Sequence, residues 1–214
     1  MKEQRFFIKT LVIHPSDRST DFLKQIYAGR DFTVENRHRG EKYPKEEFIK
    51  QIRNHDRIIM MGHGHPGGLL YSYVDWNIVP LLRKKECVCI WCNADQFVNY
   101  YGLKGFYTGM FISEVGEANC FRIKTTQKKV DFSNELFARL ITENIDNPEI
   151  YSVLKKNYVG DCPVIQYNNA RLYYKNEESI PAMKDFNNEP LIMSKEPHIK
   201  GITNCSQCLL PDEN

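Results

Sequence analysis

A histidine and a cysteine each stand shortly after a run of apolar residues. His63 comes two positions after the run IIMM at 58–61, and Cys92 follows the run CVCIW at 87–91. A thiol has an ordinary pKa of about 8.5, so it needs a neighbouring imidazole to take its proton before it becomes a good nucleophile. The same histidine can later protonate a leaving amine. These two residue types predict acyl transfer through a covalent acyl-enzyme.

The residues that follow His63 bear on the same chemistry. Gly64 allows the backbone to approach a substrate closely, and its N–H, with that of Cys92, is suited to stabilise the oxyanion of a tetrahedral intermediate. His65 is a second candidate base in the same loop. The strand-end position favours His63 over His65.

The order of the elements around these residues predicts an α/β fold. Apolar runs typical of buried strands alternate along the chain with amphipathic segments typical of helices. This alternation predicts a mostly parallel central sheet with helices on both faces, and it places functional loops at the carboxyl ends of the central strands. The predicted strands lie at 6–13, 32–34, 58–61, 87–91 and 110–113, and predicted helices follow Ser19 (as N-cap), Pro44, Asn77, Ser133 and Asn147.

The two candidate residues come from strands that follow each other in this order. Neighbouring strands of a parallel sheet end side by side, roughly 5 Å apart. His63 and Cys92 are therefore expected to face each other across one edge of the sheet.

The segments MMGHGHPGG and CIWCNAD resemble the paired His-Gly and Cys motifs of the caspase-like cysteine peptidases, which include caspases, metacaspases, clostripain, gingipain and legumain. In that family the histidine ends the third sheet strand and the cysteine ends the fourth, so the match falls on His63, Gly64 and Cys92. The segment GMFISEVGEA at 109–118 is similar to the family's next strand and the turn that borders its substrate pocket. The resemblance implies a three-layer α/β sandwich and an endopeptidase that uses a His/Cys dyad.

Three acidic residues near these motifs are candidates for binding substrate. Asp95 follows Cys92 closely, and Glu114 and Glu117 lie in the segment after the next predicted strand. A partly desolvated carboxylate selects for arginine or lysine, so these acids favour a basic residue before the cleaved bond. Each also has a simpler interpretation: Asp95 as a helix N-cap, Glu114 and Glu117 as solvated side chains. The substrate is expected to lie as an extended strand along 109–114.

Composition bounds the remaining function classes. The chain has 214 residues, a formal net charge of +2 and 42% hydrophobic residues, which is ordinary for one globular domain. Charge does not favour a nucleic-acid or membrane partner, and no apolar run has the length of a signal peptide or a membrane span. Seven cysteines, an odd number, favour free thiols and a cytoplasmic location. We expect a peptide or protein partner; the oligomeric state stays open.

The sequence predicts a caspase-like α/β domain at 1–175 and an extended arm at 176–214. The arm carries seven acidic residues against three lysines, together with four prolines. Such a composition is typical of a segment that does not pack as a regular element.

Three alternatives to the peptidase interpretation stay open. The first is a catalytically inactive binding module on the same scaffold. The second is an α/β-hydrolase, disfavoured because its strained nucleophile turn needs a small residue where Ile90 stands. The third is a zinc protein, disfavoured because Cys89 lies within a predicted strand. Its ligands would come from Cys89, Cys92, Cys205 and Cys208, or from His63 and His65. We therefore expect no metal and no cofactor.

Overall fold

A computed structural model describes residues 8–38, 41, 44–70 and 72–177 of the chain. The first residues of the predicted strand at 6–13 lie outside this part. So does nearly all of the predicted arm at 176–214, including Cys205 and Cys208, from residue 178 onward.

Six of the eight strands in the described residues form one sheet, in the order β2-β1-β3-β6-β7-β8. The first five of these strands are parallel to their neighbours, and β8 is antiparallel to β7. The two shortest strands, β4 and β5, form a separate antiparallel hairpin. The strands are β1 Thr10–Ile13, β2 Thr33–Glu35, β3 Arg57–Met61, β4 Gly64–His65, β5 Gly68–Leu69, β6 Glu86–Ile90, β7 Gly105–Thr108 and β8 Leu172–Lys175.

Helices cover both faces of the six-stranded sheet. The described α-helices are α1 Lys45–Asn54, α2 Val79–Leu82, α3 Ala94–Tyr101, α4 Val115–Cys120, α5 Gln127–Asn144, α6 Ile150–Asn157 and α7 Pro163–Ala170, and 3₁₀ helices span Arg18–Ile26 and Trp76–Ile78. Successive side chains of a strand point to opposite faces. Accordingly Ile58 and Met60 of β3 join the core formed with α1, α2 and α3, whereas Ile59 and Met61 join the core formed with α5 and α6. The predicted α/β class with a mostly parallel central sheet is confirmed.

The strand predicted at 110–113 is wrong. The fifth parallel strand is β7, and the chain after it runs as irregular backbone. Side chains take the place of a neighbouring strand there: Asn168 Oδ1 accepts from Ile112 N at 2.8 Å, and Asn168 Nδ2 donates to Ile112 O at 2.9 Å. Glu117 and Asn134 likewise bind the N–H and the carbonyl of Ser113. The apolar pattern predicted correctly that this segment is buried. It did not predict which groups would bind its backbone N–H and carbonyl groups.

The helix predicted to follow Ser19 begins two residues earlier than expected, at Arg18, and is a 3₁₀ helix. Its N-cap is Asp17, whose carboxylate accepts the backbone N–H of Ser19 at 2.9 Å. Ser19 was therefore the wrong N-cap. Similarly, α5 begins at Gln127 and holds Ser133 buried within it, rather than beginning after Ser133. Within the described part of the chain, no helix combines the length and apolar character needed to cross a membrane.

Candidate active site

The site lies where β3 and β6 end side by side. Met61, the last residue of β3, pairs with Ile90, the last residue of β6, and the N–H of Gly62 donates to the Ile90 carbonyl at 3.1 Å. Because Met61 and Ile90 lie opposite each other, β3 and β6 end at the same level of the sheet. His63 and Cys92 each stand two residues beyond the end of their strand. Both residues line one small pocket that is partly open to solvent.

The turn into His63 depends on two glycines for different reasons. Gly62 has a φ of +136°, which only glycine adopts without strain, and it redirects the chain at the end of β3. Gly64 is required because of its neighbour: a Cβ there would lie 2.1 Å from Cδ1 of Trp91. The Trp91 indole also donates to the carbonyl of His65 at 3.2 Å. Trp91, the residue that precedes the cysteine, therefore holds the histidine loop in place.

The backbone at Cys92 is held by a sharp turn between β6 and α3. Asn93 has a φ of 65°, in the left-handed region that asparagine tolerates better than other residues with a side chain. Helix α3 then begins at Ala94. The buried hydroxyl of Thr108 donates to the carbonyl of Trp91 at 3.0 Å, which fixes the chain just before the thiol. The nucleophile candidate thus sits on a strand, turn and helix with its backbone anchored.

His63 is linked to the loop after β1, the other neighbour of β3 in the sheet. Its Nε2 lies 2.6 Å from the hydroxyl of Ser19, and that hydroxyl lies 2.6 Å from Oδ1 of Asp17. The direct distance from His63 Nε2 to the Asp17 oxygen is 3.9 Å. Three strand ends, those of β1, β3 and β6, therefore contribute adjacent parts of the site.

The direction of these hydrogen bonds follows from the charge of Asp17. Partial burial opposes ionisation, but the two hydrogen bonds from Ser19, together with His63 and His14 nearby, outweigh it and lower the pKa of Asp17 below its ordinary value. An ionised carboxylate only accepts hydrogen bonds, so the single hydroxyl proton of Ser19 is donated to Asp17. The Ser19 oxygen must then accept from Nε2–H of His63. This network assigns the neutral histidine its proton on Nε2 and leaves Nδ1 with a lone pair.

The thiol of Cys92 lies in a largely buried position. The residue is 6% exposed, and its Sγ lies 3.5 Å from the Phe111 carbonyl oxygen and 3.7 Å from Glu117 Oε1, two weak acceptors that share its single proton. The partial positive charge at the start of α3 favours an anion at this position, whereas the Glu117 carboxylate disfavours one. A thiol attacking a substrate must first leave these two acceptors.

The three acidic candidates occupy different surroundings. Glu117 is 3% exposed and its Oε2 accepts the backbone N–H groups of Ser113 and Glu114, so it caps α4 instead of being solvated. Glu114 is exposed and lines a second pocket beside the first. Among the described residues that line these two pockets, Asp95 is absent. It lies in the first turn of α3, where burial raises its pKa, and Asn93 is the N-cap in its place.

A buried histidine, His14, supports the segment that follows β1. His14 Nε2 lies 3.0 Å from the Thr20 hydroxyl and Nδ1 lies 3.1 Å from the Tyr27 hydroxyl. Burial, with a smaller contribution from Lys24, lowers the pKa of His14 to about 4, so it is neutral near pH 7. Thr20 lines the pocket that holds His63 and Cys92. His14 therefore positions part of the pocket wall.

Sequence reasoning missed several residues that build this site. Asp17 and Ser19 follow the first predicted strand, so the expectation of functional loops at strand ends could have pointed to them. Thr108 and Asn168 gave no local signal, because their partners are far away along the chain. The structure adds no support for a metal site. The described residues hold no group of three or more His, Cys, Asp or Glu side chains placed to bind a metal ion.

The chain has no significant match among protein-family models, curated proteins or solved structures. What the site can do chemically therefore follows from its own residues. It offers a thiol, an imidazole linked through a hydroxyl to a carboxylate, and a pocket that both side chains line. These are the parts that acyl transfer needs.

Proposed function

We propose that the protein is a caspase-like cysteine endopeptidase in which His63 and Cys92 form the catalytic dyad. The observation that carries the proposal is the level register of β3 and β6, which brings both residues into one pocket. The chain of hydrogen bonds from His63 through Ser19 to Asp17 adds support, because it places the proton of the neutral imidazole on Nε2 and leaves Nδ1 as a proton acceptor.

The proposed reaction proceeds in two balanced steps. Nδ1 of His63 takes the Cys92 proton, and the sulfur attacks the carbonyl carbon of the peptide bond. The C–N bond then breaks, and the amine leaves with the proton from His63, which gives a thioester. In the second step His63 takes a proton from water, and the hydroxide attacks the thioester carbonyl. The C–S bond then breaks to release the carboxylic acid, and His63 returns its proton to the Cys92 sulfur. Backbone N–H groups at Gly64 and Cys92 are the proposed oxyanion donors.

The substrate in this proposal lies in the groove between the first 3₁₀ helix and residues 111–114. Phe22 lines one side of the pocket, and Phe111 and Ser113 line the other. The earlier expectation of strand-like pairing along 109–114 needs revision, because the N–H and carbonyl groups of Ile112 and Ser113 already have side-chain partners. Substrate selection in the groove therefore depends mainly on side-chain contacts.

Free thiols persist best in a reducing compartment, and we propose the cytoplasm. None of the five cysteines in the described residues forms a disulfide. Free thiols on a catalytic domain suit that location.

The experiment that tests the proposal is turnover of a fluorogenic peptide library. The wild type, Cys92→Ala and His63→Ala are compared, with Cys120→Ala as the matched control, because Cys120 is an exposed cysteine outside the site. We expect turnover by the wild type and by Cys120→Ala, and its loss in the other two variants. Turnover that survives Cys92→Ala and His63→Ala would refute the dyad.

One observation favours a second candidate, a binding module without activity. Cys92 is 6% exposed, and its thiol lies within hydrogen-bonding distance of the Phe111 carbonyl and the Glu117 carboxylate, which hold it within the fold. In that case the groove would bind a peptide without cleaving it. Peptide binding by the wild type with no turnover of any library member would favour this candidate.

A further inference from the structure

The Cys92 thiol faces a buried carboxylate on helix α4. Its Sγ lies 3.7 Å from Glu117 Oε1, and Glu117 is 3% exposed. A second oxygen near Sγ is the Phe111 carbonyl, at 3.5 Å. Both oxygens belong to the segment at 111–117, so the thiol is turned towards this segment. Because water is largely excluded from the contact, a charge on one side chain acts strongly on the other.

The other oxygen of Glu117 is fixed by three hydrogen bonds. Oε2 accepts the N–H of Ser113 at 2.7 Å, the hydroxyl of Ser113 at 3.1 Å and the N–H of Glu114 at 3.1 Å. An oxygen that accepts three hydrogen bonds carries no proton of its own. The same bonds direct Oε1 towards Cys92. The thiol therefore meets a carboxylate that cannot swing away without releasing the backbone of the segment.

Three elements bring titratable groups to Cys92. His63 comes from the loop after β3, Glu117 from α4 and Tyr167 from α7. Burial raises the pKa of Tyr167 above its ordinary value, and Cys92 and Glu117 add to the rise, so the phenol is neutral near pH 7. Two further charged side chains lie beside the Tyr167 ring and on α3: Arg171 and Asp95. Among the three groups that face the thiol, His63 favours a thiolate and Glu117 opposes one.

We propose that Glu117 is a positioning residue that restrains the Cys92 nucleophile. It holds the protonated thiol against the segment at 111–117 and opposes ionisation until the thiol turns to His63. A thiolate in the observed position would place two negative charges in a buried contact. The inference rests on the proposed peptidase function in naming Cys92 the nucleophile, and it adds a residue that limits the reactivity of that nucleophile.

The test is the rate at which iodoacetamide alkylates Cys92, followed by peptide mass spectrometry between about pH 6.5 and pH 9.5. Glu117→Gln keeps the length of the side chain and an oxygen for the N–H groups of Ser113 and Glu114, but removes the charge. We expect the rate at pH 7 to rise about tenfold over the wild type. The ratio of the two rates should shrink as the pH rises, because the thiol ionises in both proteins. A change in access alone would raise the rate by the same factor at every pH.

The matched control is Glu135→Gln, which removes an exposed carboxylate from α5 in the wall of the neighbouring pocket. It should leave the rate at Cys92 unchanged. Protection of the buried Cys87 and Cys89 verifies that each variant is folded. If Glu117→Gln exposes these two cysteines, Glu117→Asp replaces it. That variant keeps a carboxylate but withdraws it from the sulfur by roughly 1.5 Å, so the rate at pH 7 should rise about threefold.

Three results would overturn the inference. They are an unchanged rate at Cys92 in the folded Glu117 variant, an increase that does not depend on pH, and an equal increase in Glu135→Gln. The failure of the proposed dyad has a different signature, because it is an unchanged rate at Cys92 in His63→Ala. Neither readout depends on turnover, so the two failures are distinguishable.

Discussion

The hydroxyl of Ser19 lies 2.6 Å from Nε2 of His63, so the loop after β1 orients the histidine at the end of β3. The same hydroxyl lies 2.6 Å from the Asp17 carboxylate. Asp17 therefore acts on His63 through Ser19, because its direct distance of 3.9 Å is beyond a hydrogen bond.

The first prediction concerns Ser19 as a positioning residue. Ser19→Ala removes the acceptor for His63 Nε2–H, so the imidazole loses its fixed orientation and tautomer. We expect kcat to fall about tenfold to a hundredfold, with KM nearly unchanged. Ser19→Thr keeps the hydroxyl and should restore most of the rate. Equal activity of Ser19→Ala and the wild type would show that the hydrogen bond plays no part in the reaction.

The second prediction concerns the contact between Gly64 and Trp91. Gly64→Ala places a Cβ 2.1 Å from the Trp91 ring, so the loop or the indole must move. We expect the free energy of unfolding to fall by about 1–3 kcal/mol, measured by urea denaturation. Gly160→Ala is the matched control, since its Cβ would meet its nearest neighbour at an ordinary 3.8 Å. A larger loss of stability in the control would contradict this account of Gly64.

The third prediction concerns the pH dependence of stability. The pKa of His14 is lowered from 6.5 to about 4 in the folded chain, mainly by burial. The unfolded chain therefore binds a proton between these values while the folded chain does not, so stability falls as the pH drops from 6.5 towards 4. The full effect is roughly 3 kcal/mol.

Urea denaturation at a series of pH values tests this sign. His14→Gln should be less stable near pH 7 but show a flatter decline below pH 6.5. His38→Gln, a change at an exposed histidine, should keep the slope of the wild type. If His14→Gln also keeps that slope, His14 is not the group responsible.

The sequence predicted the two strands that carry the candidate site, because the runs at 58–61 and 87–91 are continuous and buried. The pairing of β3 with β6 followed from their order along the chain. The strand prediction at 110–113 was wrong because apolar content predicts only that a segment is buried, not that it pairs as a strand. Its backbone groups are bound by Asn134 and Asn168, which lie far along the chain and leave no local pattern. The contact between Ser19 and His63, which are 44 residues apart, left no local pattern either, although the position of Ser19 after a predicted strand could have pointed to it.

The most direct test of the central claim is the alkylation rate of each cysteine by iodoacetamide, followed by peptide mass spectrometry. Cys120 is exposed and Cys92 is 6% exposed, so accessibility alone predicts faster labelling of Cys120. If His63 activates Cys92, Cys92 will label faster than Cys120 in the wild type, and the order will reverse in His63→Ala. Labelling that follows exposure in both proteins would contradict the dyad.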